Sequence, residues 1–294
     1  MMRSYRPEAM SCPCCAYPSH EPLFVVAGHT YVVCARCRSA WLDPMPAFDP
    51  ADLYGEGYFV AGDDRGGYVD YDRDEALHRR NARSRVRLCA PYLPPGQAFD
   101  AIDVGCASGY VLDEYRRIGL VTHGVDVSPW ARKEAANRDH DVQAELTDAL
   151  AASSRVALVS FFQSLEHMPD PDAAMAEASA ALRPGGVVAV ETWDRLSTVA
   201  RVSGTRWQQA NPPSVLHLFT RDGLTRLAER HGLSIERMQA TSKFVSPALV
   251  AGVLAHRAPR TGRALAKAID VTHLGHVAVP YRLGDLITLV AIKR

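Results

Sequence analysis

The chain has no apolar run approaching the roughly 20 residues that cross a bilayer. Its first residues, Met1-Met2-Arg3-Ser4 onward, lack the apolar stretch of a secretory signal. Both absences point to a soluble cytoplasmic protein without a membrane partner. It has no charge excess either. The 33 Lys and Arg balance 33 Asp and Glu, so no global field favours nucleic acid or an anionic surface. Lysine is scarce, confined to Lys133, Lys243, Lys267 and Lys293, a bias without functional weight. Internal repeats and low-complexity tracts are missing. At 47% hydrophobic and 22% charged, the 294 residues are too apolar for wholesale disorder and suffice for one large domain or two smaller ones.

What the chain does have is an uneven distribution of cysteine. Cys12, Cys14, Cys15, Cys34 and Cys37 crowd the front, and only Cys89 and Cys106 follow. A disulfide-stapled secreted chain would be shorter and would spread its cysteines, so the clustering points to metal. Cys12-x2-Cys15 and Cys34-x2-Cys37 form two knuckles joined by a hairpin-like stretch, the four-thiolate zinc spacing. Cys14 is a spare. Four thiolates leave no open coordination position, so the expected zinc is structural. Residues 1–55 carry four Arg against five acids. A net charge of about −1 makes that segment a poor phosphate binder, so nucleic acid is not an expected partner.

From about residue 56 onward, short apolar runs alternate with helical stretches, the rhythm of a doubly wound α/β sheet. Val156–Phe162 and Val187–Glu191 are continuously apolar enough for strands buried on both faces. Ala101–Val104 leads into a turn containing Gly105 and Gly109 and then a helix from Tyr110, an arrangement that lets main chain approach a ligand. Asp126 stands 21 residues after Gly105, at the end of the next strand, where a carboxylate accepts from both ribose hydroxyls. The DxGxxxG loop matches neither the GxGxxG dinucleotide fingerprint nor a P-loop.

These residues resemble the class I S-adenosylmethionine-dependent methyltransferases. The carriers are the Asp103–Gly109 loop, Gly124-Val-Asp126-Val127-Ser, the Ser164-Leu-Glu166-His167-Met-Pro-Asp-Pro segment and Leu182-Arg-Pro-Gly-Gly186. The likeness runs from about Tyr54 to the end and implies a Rossmann-like, mostly parallel seven-stranded sheet behind the zinc ribbon. It implies that Asp103, Gly105, Cys106 and Gly109 flank the methionine end of the cofactor and that Asp126 and Val127 take the ribose side. Asp148 is the candidate for the adenine amine, and Gln163 for the methionine side. One departure is Ser154-Arg155 where the family usually opens its fourth strand with Asp. With the ribbon, Tyr54-x3-Tyr58-Phe59 and the Trp207…His217 region, the chain is similar to zinc-ribbon methyltransferases acting on sugars, secondary metabolites or cell-envelope precursors.

Methyl transfer to an alcohol or amine needs a general base, and imidazole suits neutral pH. His217, after the irregular Asp194–Val215 segment expected to form an acceptor pocket, and His167 compete for this role, with Glu166 and Glu191 in reserve. Tyr58, Tyr68 and Tyr71 belong to an aromatic flap over residues 54–72, expected to close over the cofactor, with Tyr58 the cofactor-binding candidate, to stack on the acceptor, or to pack between ribbon and core. Six arginines between Arg73 and Arg87 form a basic helix that reads mainly as a solvated face, unless the acceptor is phosphorylated. Residues 243–282 are expected to be an inserted substrate or dimerisation element, which leaves a homodimer open. Two rivals stand beside a small-molecule O- or N-methyltransferase. One is an RNA methyltransferase using the zinc module; the other is a non-methylating protein on the same fold, a cyclisation enzyme or a binding partner.

Overall fold

The computed structural model describes residues 11–60, 71–95, 99–257, 259–272, 275 and 277–294. The front of the chain forms strands β1 (His20–Val26), β2 (His29–Cys34) and β3 (Ala40–Leu42). Short helices α1 (Pro50–Leu53) and α2 (Glu56–Val60) and the long α3 (Glu75–Cys89) follow. The expected alternation then runs β4 (Asp100–Val104), α4 (Tyr110–Arg117), β5 (Val121–Val125), α5 (Pro129–Ala136), β6 (Asp141–Gln143), α6 (Leu146–Ala152), β7 (Val156–Phe162), α7 (Pro171–Ala181) and β8 (Val187–Trp193). After α8 (Thr198–Ser203), β9 (His217–Leu218), α9 (Arg221–Arg230) and β10 (Leu233–Ala240) comes a helical hairpin. It is β11 (Lys243–Val245), α10 (Pro247–Arg257), α11 (Pro259–Thr272) and β12 (Val279–Tyr281), and β13 (Leu286–Lys293) closes the chain.

Seven strands form one sheet in the order β10-β13-β8-β7-β4-β5-β6. The five from β8 to β6 are parallel, and β13 runs antiparallel between β8 and β10. Every residue of β4, β7 and β8 is buried, as continuous apolar runs require when helices cover both faces. Helix starts have local causes: Ser128 accepts from Ala131 N and Asp170 from Ala173 N, each followed by a proline whose missing N–H costs nothing there. No helix among the described residues is long and apolar enough to cross a membrane. Residues 61–70 of the expected flap, Tyr68 included, lie outside the described residues.

The ribbon sheet is not self-contained. Its order is β1-β2-β3-β9, so a two-residue strand from beyond β8 completes it. Ala40 pairs with Leu218 and Trp41 with His217, and Leu42 N donates to Leu216 O at 3.0 Å. Thr220 ties the two parts further. Its hydroxyl donates to Cys37 O (2.7 Å), while its oxygen caps α9 by accepting from Gly223 N (2.9 Å). Replacing Thr220 by Val removes both bonds at a site 1% exposed and should cost about 2 kcal/mol. Urea unfolding would measure this; a loss under about 0.5 kcal/mol would mean the tie contributes little.

Candidate active site and thiolate cluster

The glycine turn between β4 and α4 depends on backbone conformation. Gly105 and Gly109 sit at φ +79° and +85°, and a Cβ on Gly105 would lie 2.6 Å from the Ser164 Cβ. Only glycine combines that φ with that proximity. The turn lets Ala107 N reach back to Asp126 Oδ2 (2.9 Å), while Ser128 N donates to Oδ1 (2.9 Å). Asp126 is thus oriented by one amide per oxygen at the end of β5, with lone pairs left on both for a diol. Burial pushes its carboxyl above the usual range, against the pull of those two amides.

A cavity of about 590 Å³ opens over the carboxyl ends of β4, β5 and β7, where parallel α/β sheets hold ligands. Of the residues selected from sequence, Asp103, Gly105, Cys106, Asp126, Val127, Gln163, Tyr58 and His167 line it. Gly109 lies just behind, as the N-cap of α4. The site fits an adenosyl cofactor: a diol-ready carboxylate, a left-handed glycine turn and apolar walls that include Val127, Leu146 and Phe162. Asp103 accepts from Ser160 Oγ at 2.6 Å, and burial pushes its carboxyl up to about 7.

His167 is held in one tautomer. Its Nδ1 donates to Ser214 O at 2.6 Å and lies 3.1 Å from the Tyr54 hydroxyl, which leaves Nε2 as the free acceptor. Glu166 is beside it in sequence but points away. It is 1% exposed, and its Oε2 accepts from Thr192 Oγ1 at 2.9 Å.

Three expected placements differ. His217 is 3% exposed within the ribbon sheet and does not line the cavity; burial lowers its imidazole to about 4. Pairing with Trp41 turns it into the sheet. Asp148 is exposed on α6, and the wall at this point is built by Leu146 and Thr147 of the same first turn. The Asp194–Val215 segment supplies Ser214 to His167 but no cavity wall. Phe244, Val245 and Leu249 of the hairpin take that place, together with Asn81 and Arg85 of α3. The arginine helix is expected mainly as a solvated face, yet Arg85 binds Glu191 through Nε (2.9 Å) and Nη2 (2.6 Å). Gln163 bridges onward, donating to Glu191 Oε1 (3.1 Å) and accepting from Lys243 Nζ (2.7 Å). The unusual left-handed φ of Gln163, +60°, aims its amide between the two.

At the front, Cys12, Cys15, Cys34 and Cys37 bring their sulfurs within 4.8 Å of one another, all buried. The Cys12–Cys37 and Cys15–Cys34 separations are 3.5 and 3.6 Å, close to the ~3.8 Å edge of a tetrahedron with Zn–S near 2.3 Å. Arg36 N and Cys37 N point at Cys34 Sγ (3.3 and 3.4 Å), where amide dipoles favour a thiolate. Four thiolates this close repel unless a divalent cation joins them.

A family model described as "Methyltransferase domain" matches residues 72–237, over half of the chain. The chain belongs to this methyltransferase family. Curated relatives include ubiquinone biosynthesis O-methyltransferases of Nitrobacter winogradskyi and Brucella melitensis. They are 28% and 32% identical over 57% and 55% of this chain. The matches span 66% and 61% of those relatives' own lengths, short of two thirds. Among solved structures, magnesium protoporphyrin IX methyltransferase from Synechocystis PCC 6803 with bound S-adenosylhomocysteine has a TM-score of 0.50. It is 13% identical, with 83% of this chain and 99% of that one covered. A mycolic acid cyclopropane synthase, also with S-adenosylhomocysteine, has a TM-score of 0.50 at 14% identity, covering 76% and 88%. At such identities the likeness is one of fold, the class I methyltransferase fold. The family match starts at residue 72, so the ribbon lies outside it.

Two measurements follow. A buried carboxyl raised to about 7 keeps its proton in the folded state while the unfolded chain has lost its own. Stability of the cofactor-free protein therefore falls as pH rises from about 4 to about 7. Asp103→Asn removes that slope, and its Tm advantage should grow across this window; an advantage that stays flat with pH would refute the assignment. Metal analysis should find one zinc per chain, and strong chelation should lower Tm and slow turnover more than it weakens S-adenosylhomocysteine binding. The ribbon holds the Ser214 side of His167, not the ribose side.

Proposed function

We infer that the protein transfers a methyl group from S-adenosylmethionine to a hydroxyl of a small molecule, with His167 as general base and a structural zinc in the ribbon. The observation that carries this reading is that the Asp126 carboxylate and His167 line one and the same cavity. S-adenosylmethionine, when bound, supplies a methyl group already activated by a sulfonium. Asp126 would hold the ribose hydroxyls, Leu146 and Val127 the adenine, and Asp103 and Gln163 the methionine end.

The chain's own work is alignment, exclusion of water and removal of one proton. Tyr54, Tyr58 and Phe59 wall the cavity from the front, and Phe59 stacks on Trp130 of α5 with ring centroids 4.5 Å apart. Phe244 and Leu249 wall it from the hairpin. Orientation of two reactants in a site that excludes water is worth up to roughly 7–11 kcal/mol. His167 Nε2 takes the acceptor's proton, while the Ser214 carbonyl stabilises the positive charge gained by the ring. Names of the curated relatives favour oxygen over nitrogen as the acceptor atom. The charge of the ribbon speaks against RNA.

Calorimetry separates binding from chemistry. Asp126→Ala should weaken S-adenosylhomocysteine at least tenfold, in line with loss of hydrogen bonds to a charged acceptor. His167→Gln should leave that affinity within about twofold while lowering kcat by roughly 10²–10⁴. Unchanged nucleoside affinity in Asp126→Ala would end the cofactor reading, and full activity in His167→Gln would end the base reading.

A further inference from the structure

A second cavity, about 500 Å³, lies against the first and shares Asn81, Arg85, Lys243 and Phe244 with it. Its charge is one-sided: Arg85, Arg87, Lys243 and Arg282 line it against a single carboxylate, Glu191. That carboxylate is already engaged by Arg85 and Gln163. Lys243 Nζ rests on the neutral Gln163 oxygen, and no carboxylate among the described residues lies within ion-pair range of Lys243, Arg87 or Arg282. Glu191, Glu166 and Asp285 act on Lys243 only at longer range, so three convergent cations with no carboxylate in direct contact form a seat for an anion.

Three separate elements deliver these cations, and the fold fastens them together. Arg87 is on α3, Lys243 on β11, and Arg282 follows Tyr281, which pairs with Lys243 across the β11–β12 ladder. Asn81 locks α3 to β11 with two bonds to the main chain of Phe244, donating to its oxygen (2.9 Å) and accepting from its nitrogen (2.8 Å). Ser84, Thr241 and Ser242 add hydroxyls on the wall. Guanidinium and ammonium groups in such a cluster match the several oxygens and double charge of a phosphate better than the single charge of one carboxylate.

We propose that this second cavity seats a phosphate or diphosphate ester group of the methyl acceptor. The acceptor is then a phosphorylated small molecule whose hydroxyl reaches through the shared wall toward His167. This rests on reading the first cavity as the methyl-donor site, and the test separates the two.

The probe is inorganic pyrophosphate, titrated calorimetrically at constant ionic strength into protein saturated with S-adenosylhomocysteine. Arg87 and Arg282 are exposed, so Arg87→Gln/Arg282→Gln should leave folding intact. The double variant should bind pyrophosphate about tenfold or more weakly while keeping wild-type affinity for S-adenosylhomocysteine. Arg201→Gln, an exposed arginine on α8 outside both cavities, should change neither. Equal pyrophosphate binding in wild type and double variant, or none in the wild type, overturns the proposal. Malonate binding as tightly as pyrophosphate overturns the phosphate assignment. Should S-adenosylhomocysteine itself fail to bind, the donor site falls, and pyrophosphate titrated alone still reads the second cavity.

Discussion

Two main-chain hydrogen bonds connect the front of the molecule to its chemistry. Leu42 N donates to Leu216 O, and Leu216 N donates to Glu166 O at 2.9 Å. They join β3 of the ribbon, the segment that includes Ser214, and the turn that carries His167. Remove the pairing, and the Ser214 carbonyl that fixes the imidazole tautomer loses its support. A module too small to bury its own core is thereby given one: Cys12, Cys34, Cys37 and Trp41 pack in a single cluster with Phe219, Leu224 and the main sheet. The cysteine knuckles brace the cavity edge of the sheet from outside without lining the cavity.

The same edge concentrates acid groups that burial disfavours. Asp103, Asp126, Glu166 and Glu191 are all under 9% exposed near the carboxyl ends of the central strands. Each has a different remedy. Ser160 donates to Asp103, loop amides to Asp126 and Thr192 to Glu166, while Glu191 takes the guanidinium of Arg85. The raised carboxyls of Asp103, Asp126 and Glu166 measure how incomplete the first three remedies are. A cationic ligand beside Asp103 would complete its solvation, so a positively charged cofactor and an apolar sheet edge suit each other.

Features visible in the sequence were the ones set by local geometry. A glycine at positive φ, an acid one strand later and two CxxC knuckles are short-range requirements, and their spacing survives in a linear reading. Arg85 and Lys243 were hidden for the opposite reason. In sequence, Arg85 is one of several arginines on a helix, and Lys243 follows a strand; only the folded hairpin brings them to one wall. His217 and Asp148 carried the right chemistry but the wrong direction. A one-residue change in strand register or a 100° step around a helix decides where a side chain points, and neither is written in composition.

From sequence alone came the alternation of strands and helices, the glycine turn after β4, the acid at the end of β5 and the four-cysteine set, because each is specified by neighbours within about 25 positions. Tertiary structure decided which histidine meets the cavity, which strand finishes the ribbon, and which cations gather beside Glu191. These are contacts between residues 47 to 183 positions apart. Their partners are selected by packing and burial across the whole molecule, which no local pattern encodes.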